Sequence, residues 1–345
     1  MNENKLYFMS DYMEGARPEI LKRLVETNLE KSPGYGTDAY SEAAREKIRA
    51  AVGANDADVY FLVGGTQANA TVIDAMLASW QGVVAARTGH INVHEAGAVE
   101  FSGHKVIELD QQNGKLSAQT VKKYLDAYFG DMNRDHVVMP GLVYISQPTE
   151  LGTLYSLKEL KALSRVCRKA GVRLYLDGAR LAYALACPEN DVTLRDIARL
   201  CDAFYIGGTK CGALFGEAVV FPKKGSVPHF FTIVKQHGAL LAKGRIAALQ
   251  FDALFTDGLY ETVGKNAIDA ANRIRKALVE KGYRFAIDTP TNQIFVVLDE
   301  ETDARLSEGA ELDFWEKLED GRVIKRIATS WATTEEDVER LIGML

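Results

Sequence analysis

Cysteine is scarce in this chain: four residues in 345, at Cys167, Cys187, Cys201 and Cys211, with no Cys-x-x-Cys pair among them. A chain of this length needs no disulfide framework, so buried free thiols are expected; Cys211 alone adjoins a residue of chemical interest, Lys210. No apolar run approaches the ~18 residues of a spanning helix, and Met1 to Ser10 lacks the basic-then-apolar order of a signal peptide. Charged residues make up 26% of the chain, scattered without a long block of one sign, and the net charge is −6. That balance offers neither a polybasic patch for a membrane nor an electrostatic footprint for nucleic acid. A Gly-x-Gly-x-x-Gly fingerprint is absent too, which disfavours a nicotinamide dehydrogenase. The expectation is a cytoplasmic protein with neither membrane nor nucleic-acid partner.

What the chain does have is 47% hydrophobic residues, enough for one large domain and a smaller one. Short runs rich in β-branched and aromatic residues alternate with helix-length amphipathic segments, the pattern of a mostly parallel sheet covered on both faces. The class is α/β. Strands are expected at Val59–Val63, Val83–Ala86, Val106–Leu109, Leu142–Ser146, Val172–Leu176, Ala203–Ile206 and Glu217–Phe221. Helices are expected at Arg17–Glu30, Thr66–Ser79, Leu157–Ala170 and Leu194–Leu200. After about Gly244 the texture turns helical, Arg245–Phe255 and Tyr260–Lys281, followed by one strand at Gln293–Leu298 and a last helix at Glu335–Leu345. This suits a smaller α+β domain. The expected partition is an N-terminal segment 1–30, a large domain 31–250 and a small C-terminal domain 251–345. No internal repeat or low-complexity tract occurs.

Four segments at predicted strand ends carry chemistry. Phe61-Leu62-Val63-Gly64-Gly65-Thr66-Gln67 turns from strand to helix through two glycines, which suits one phosphate on backbone N–H groups. It also suits an ordinary turn capped by Thr66. His90 follows the Val83 strand and can stack on a flat ring or sit satisfied in a loop; His90 and His94 four apart are poor grounds for zinc. Asp177 ends an apolar strand, where it can hold a cation or cap a helix. Lys210, in Gly207-Gly208-Thr209-Lys210-Cys211-Gly212, is flanked by small residues and is either a solvated hairpin lysine or one with room for a bulky group. Taken together, phosphate turn, stacking histidine, pyridinium aspartate and Schiff-base lysine form the set of a pyridoxal 5′-phosphate enzyme.

With these residues in place the chain resembles the low-specificity threonine aldolases, in the β-eliminating lyase group of fold-type-I pyridoxal-phosphate enzymes. The likeness runs through Ser10-Asp11, Tyr35-Gly36, Gly65-Thr66-Gln67-Ala68-Asn69, His90, Glu95-Ala96-Gly97, Asp177-Gly178-Ala179-Arg180, Lys210 and Arg326 in Lys325-Arg326-Ile327-Ala328-Thr329. It implies that Gly65, Thr66 and Gln67 cradle the cofactor phosphate, His90 stacks on the ring, Asp177 keeps the ring nitrogen protonated and Lys210 carries the cofactor. Arg180 would support cofactor or substrate, and Arg326 would clamp a small amino acid by its carboxylate. Ser10 and Tyr35 would lie near substrate, Tyr35 across the interface of a homodimer or homotetramer with shared active sites.

Two departures stand out. Glu150, in Gln147-Pro148-Thr149-Glu150-Leu151-Gly152, stands where many of these aldolases have a histidine, and Thr209-Lys210 replaces the family's Ser-Lys. The Gly-rich segment after the lysine is kept only loosely, in Gly238 to Arg245, so Lys243 and Arg245 receive no firm role. The reaction implied is retro-aldol cleavage of a β-hydroxy-α-amino acid, threonine or allo-threonine, to glycine and an aldehyde, with His90, Glu150 or a water as base. The alternatives are β-elimination or transamination on the same scaffold, and a non-catalytic binding protein that kept the fold.

Overall fold

A computed structural model describes residues 5–345. The strands are β1 (Leu6–Tyr7), β2 (Asp58–Leu62), β3 (Gln81–Ala86), β4 (Val106–Leu109), β5 (Met139–Ser146), β6 (Arg173–Asp177), β7 (Ala203–Gly207), β8 (Glu217–Phe221), β9 (Arg284–Ile287), β10 (Gln293–Leu298), β11 (Ala310–Glu311), β12 (Asp313–Lys317) and β13 (Val323–Ala328). β2 to β8 make a seven-stranded sheet in the order β2-β8-β7-β6-β5-β3-β4. β3, β4, β5, β6 and β7 run parallel, β8 is antiparallel to both β7 and β2, and so β8 alone opposes the rest.

This direction rule positions the site. The carboxyl ends of β2, β3, β5, β6 and β7 share one edge of the sheet, and the antiparallel β8 begins there. The segments after those strands therefore meet, as expected for an open α/β sheet. All seven strands expected for this sheet are present, with ends shifted by three residues or fewer.

Both sheet faces are buried, which is why β5, β6, β7 and β8 read as nearly continuous apolar runs. On one face, Val143, Leu174, Leu176, Phe204 and Val220 pack with Ile48, Leu163, Ile197 and Phe251 from helices Ala39–Val52, Leu157–Ala170, Leu194–Leu200 and Arg245–Leu254. On the other, Val83, Tyr144, Tyr175, Tyr205 and Val219 pack with Val72 and Ile73 of helix Gly65–Met76 and Phe230 of helix Phe230–Gln236.

Packing is tight at the β6 turn. A Cβ added at Gly178 would lie 2.0 Å from Tyr205 O, a backbone atom that cannot swing aside. Gly178→Ala should therefore destabilise by about 3 kcal/mol or more, read as a lower urea midpoint.

The second unit is an antiparallel sheet in the order β12-β13-β10-β9, packed against helices Lys265–Glu280 and Glu335–Met344. The N-terminal segment is stitched into it: β1 pairs parallel with β11, and Ala328 N–H donates to Phe8 O at 2.8 Å. That pairing delivers residues 9–11 to the large sheet's active edge.

Several elements differ from expectation. Helices Ala39–Val52 and Ala118–Gly130, and strands β9, β12 and β13, were not anticipated. The helix expected over Tyr260–Lys281 is two pieces, Leu259–Thr262 and Lys265–Glu280, joined through Val263 and Gly264, where Gly264 packs so closely on Ala182 O that a Cβ would lie 2.5 Å from it. The helix expected over Arg17–Glu30 is Pro18–Glu26.

Candidate active site

Lys210 stands in the connection between β7 and β8, a true hairpin in which Gly208 and Thr209 N–H both donate to Gly216 O. Its side chain, however, is turned into a cavity of about 310 Å³ that Gly64, Gly65, Thr66, His90, Asp177 and Glu217 also line. Lys210 Nζ makes no hydrogen bond or ion pair among the described residues; the Tyr12 ring lies 5.8 Å away. Burial lowers the Lys210 pKa first and the Arg180 charge lowers it further, against Asp11 and Asp177. The amine is thus poised toward its neutral, nucleophilic form. A second space of about 710 Å³ shares Tyr12, His90, Glu150, Arg180 and Lys210 with the first, so the two adjoin. Ser10, His94, Trp315 and Arg326 form its outer walls.

Asp177, the last residue of β6, lies at the cavity floor and caps no helix; helix Leu181–Ala186 is led by Arg180 without a side-chain cap. Its Oδ1 accepts from Ala179 N–H at 3.0 Å and Tyr205 OH at 2.5 Å, its Oδ2 from Asn69 Nδ2 at 3.0 Å and Tyr144 OH at 2.7 Å. Burial opposes the charge, but the His90 charge and donors from Tyr205, Asn69 and Ala179 overcome it and hold the pKa below the usual carboxylate range. The carboxylate is thereby kept ionised in a buried place, ready for a cationic partner.

His90 begins a short helix after β3, and its Nδ1 stands 2.7 Å from Glu95 Oε1, which also accepts from Asn69 Nδ2 at 2.7 Å. With Glu95 as acceptor Nδ1 carries a proton, and the bond fixes the plane of the ring. Glu150 follows β5 and is buried; its Oε1 accepts Ser146 OH at 2.5 Å and His90 backbone N–H at 3.0 Å. Burial raises its pKa, with the Asp177 charge adding to the effect against those hydrogen bonds.

Two arginines close the space. Arg180 forms a two-pronged pair with Asp11, Nε to Oδ2 at 2.6 Å and Nη2 to Oδ1 at 3.0 Å. Arg326 on β13 meets Asp313 Oδ2 at 2.7 Å and Gln293 Oε1 at 3.0 Å, lies over the Trp315 ring at 5.5 Å, and keeps its buried Nε without a partner.

Helix Gly65–Met76 starts after Gly64 with no side-chain cap, so Thr66 does not cap it and its first-turn N–H groups face the cavity mouth. Gln67 does not line the cavity; its Oε1 accepts Val63 N–H at 3.2 Å and braces the turn. Tyr35 lies apart, 45% exposed, beside a separate cavity of about 410 Å³ and 4.8 Å from Lys235 Nζ. Asp11, Asn69, Tyr144, Tyr205 and Glu217 join the site although sequence reasoning gave them no role. Alternation along β5 to β8 could have found Tyr144, Tyr205 and Glu217, since each shares its strand face with the cavity side.

The residues fit pyridoxal phosphate on their own chemistry. An unpartnered, half-buried amine faces the same cavity as an ionised buried carboxylate and an uncapped Gly-Gly helix start. The comparisons agree. A threonine aldolase structure from Leishmania major superposes with a TM-score of 0.95 at 39% identity, over 98% of each chain. The low specificity L-threonine aldolase of Pseudomonas aeruginosa is 29% identical over 87% of this chain and 86% of its own length. A Thermus thermophilus aspartate aminotransferase shares the fold, with a TM-score of 0.72 at 15% identity over 99% of this chain and 91% of its own. The β-eliminating lyase family model matches residues 8–302. The fold is that of fold-type-I pyridoxal-phosphate enzymes, the cofactor is pyridoxal phosphate, and the chain belongs to the β-eliminating lyase family.

Proposed function

We propose that this chain is an aldehyde-lyase that cleaves a β-hydroxy-α-amino acid, threonine or allo-threonine, to glycine and an aldehyde. The observation that carries the reading is the half-buried, unpartnered Lys210 amine in one cavity with Asp177 and the Gly64–Thr66 turn, next to a space walled by Arg326, Arg180 and Glu150. When bound, pyridoxal phosphate supplies an electron sink for the pair left on Cα as the Cα–Cβ bond breaks.

The chain's own residues do the rest. Lys210 Nζ would hold the cofactor through its aldehyde carbon. The first-turn N–H groups at Gly65 and Thr66 take the phosphate, with Gln67 bracing their turn. Asp177 holds the ring-nitrogen proton; Tyr144, one of its four donors, can turn its own proton to Ser146 Oγ, 3.2 Å away, and so make room. His90, fixed by Glu95, presents its ring to the cofactor. Arg326, with an unused Nε, binds the substrate carboxylate, and Arg180 and Ser10 line the same space.

Glu150 takes the β-hydroxyl proton, directly or through water. Its raised pKa makes it a stronger base than an ordinary carboxylate once ionised. Activity should then rise with pH as Glu150 ionises, and Glu150→Gln should lower kcat by about 10²-fold and remove that acid-side limb of the pH profile. A limb unchanged in the variant assigns the base elsewhere.

The assembly reads as a cytoplasmic homodimer or homotetramer with shared sites, since Tyr35 lies away from its own chain's cavity and half-exposed. Among the described residues no helix is long and apolar enough to cross a membrane. Assay of L-threonine and L-allo-threonine for glycine, acetaldehyde, ammonia and oxo acid tests the reading. Glycine and acetaldehyde in equal amounts support it; ammonia with an oxo acid indicates elimination on the same scaffold.

A further inference from the structure

We propose that Glu217 and Thr209 form a proton-set clasp for the cofactor's anionic end, in which protonated Glu217 donates to Thr209 Oγ1 and turns the threonine's own proton toward the phosphate. The inference rests on the pyridoxal-phosphate reading above and adds a pair of residues that it leaves unused.

The placement comes from the sheet. Glu217 opens β8 directly opposite Leu62 at the end of β2, two residues before the Gly64–Gly65 turn, and is 3% exposed. Thr209 follows β7 across the hairpin, and both residues line the cavity together with Gly64, Gly65 and Thr66. A carboxyl group has therefore been set at the end of the cavity where an anion is to be held.

Hydrogen-bond arithmetic decides what it does there. A threonine hydroxyl has one proton to give and two lone pairs to fill. Thr209 Oγ1 already accepts Gly216 N–H at 3.0 Å and stands 2.8 Å from Glu217 Oε1. If Glu217 is ionised, Thr209 spends its only proton on that carboxylate, none is left for a ligand, and a negative charge faces the phosphate. If Glu217 is protonated, it donates to the second Thr209 lone pair, and the threonine proton is released into the cavity. Only the second arrangement fills every position and suits an anion.

The surroundings favour it. Glu217 has no cationic partner within ion-pair distance among the described residues; its Oε2 accepts only Gly208 N–H at 3.2 Å. The charged or titratable groups facing it are Lys210 and Cys211 from the hairpin, Asp177 and Tyr175 from β6, Tyr205 from β7, and Tyr260. Burial dominates, opposed by Thr209, Lys210 and Gly208, and pushes the carboxyl up to about 8. Because an anion binds the protonated form, its affinity is full below that value and falls as pH rises through it. The phosphate's own second ionisation, at about 6, lies below this window.

The test titrates the cofactor-free full chain with pyridoxal phosphate and with pyridoxal, which lacks the phosphate, by calorimetry from about pH 7 to 9. The ratio of the two affinities cancels effects at Lys210, common to both ligands. In the unaltered protein that ratio should fall by about tenfold per pH unit above about pH 8. In Glu217→Gln, whose amide donates to Thr209 at every pH, it should stay flat; in Thr209→Val it should be low throughout. A ratio independent of pH in the unaltered protein, or one that falls equally in Glu217→Gln, overturns the clasp while leaving the function standing. Failure of the unaltered protein to bind pyridoxal phosphate overturns both.

Discussion

Lys210→Ala should lower turnover by ~10³-fold or more while leaving the fold intact. The two halves of this expectation come from one observation. Lys210 Nζ has no hydrogen bond or ion pair among the described residues, so its removal strands no partner. Burial and the Arg180 charge already work against its ammonium form, so the folded protein loses little when it goes. A lysine kept in a site that disfavours its charge is retained for its nucleophilicity. The check pairs a glycine-release assay with a urea melt: a lost activity with an unchanged midpoint is the expected result, and full activity in the variant would end the account.

Asp11→Asn should be the reverse, a change felt first in stability. Asp11 is fully buried and holds Arg180 by two bonds, with Asn292 Nδ2 on the same carboxylate at 2.9 Å. Removing the negative partner leaves the Arg180 guanidinium, only 11% exposed, without compensation. The expected cost is about 3–5 kcal/mol, read as a lower urea midpoint, with weaker substrate binding because Arg180 loses its fixed fork. The pH dependence follows the sign of the shift. Burial raises the Asp11 pKa, but Arg180 and Lys210 outweigh it and hold it below the model-compound value of 3.8. Its contribution is thus present above that value and lost as pH falls through the folded pKa. The variant's stability profile should be flatter than the parent's below about pH 4; equal acid sensitivity in the two proteins would argue against the pair.

The large sheet was legible because its strands are buried on both faces, so each shows as an apolar run between turn residues. Val106–Leu109 and Glu217–Phe221 were located to the residue. In the small sheet only β10, Gln293–Leu298, was legible, also to the residue; β9 and β12 are half-exposed and carry Arg284, Asp313, Glu316 and Lys317, so no apolar run marks them. Helix Ala39–Val52 buries only small or single positions, Ser41, Ala44, Ile48 and Val52, and its polar outer face hides the period.

The site divides the same way. Lys210, Asp177, His90 and the Gly64–Thr66 turn were found because each ends a strand on the shared edge, and parallel topology brings such ends together. Asp11 was quoted only as a neighbour of Ser10, because nothing local shows that β1 joins β11 and carries it to Arg180. Glu217 looked like the first residue of a strand and no more. Its significance depends on β8 running antiparallel, which places a strand start, rather than a strand end, at the active edge.

Borohydride reduction of the pyridoxal phosphate-loaded protein, followed by peptide mapping, asks whether Lys210 carries the cofactor. The account predicts one reduced pyridoxyl group per chain, on the peptide containing Gly207-Gly208-Thr209-Lys210. Label on another lysine, such as Lys235 or Lys243, or none at all in protein that still turns over threonine, would contradict it.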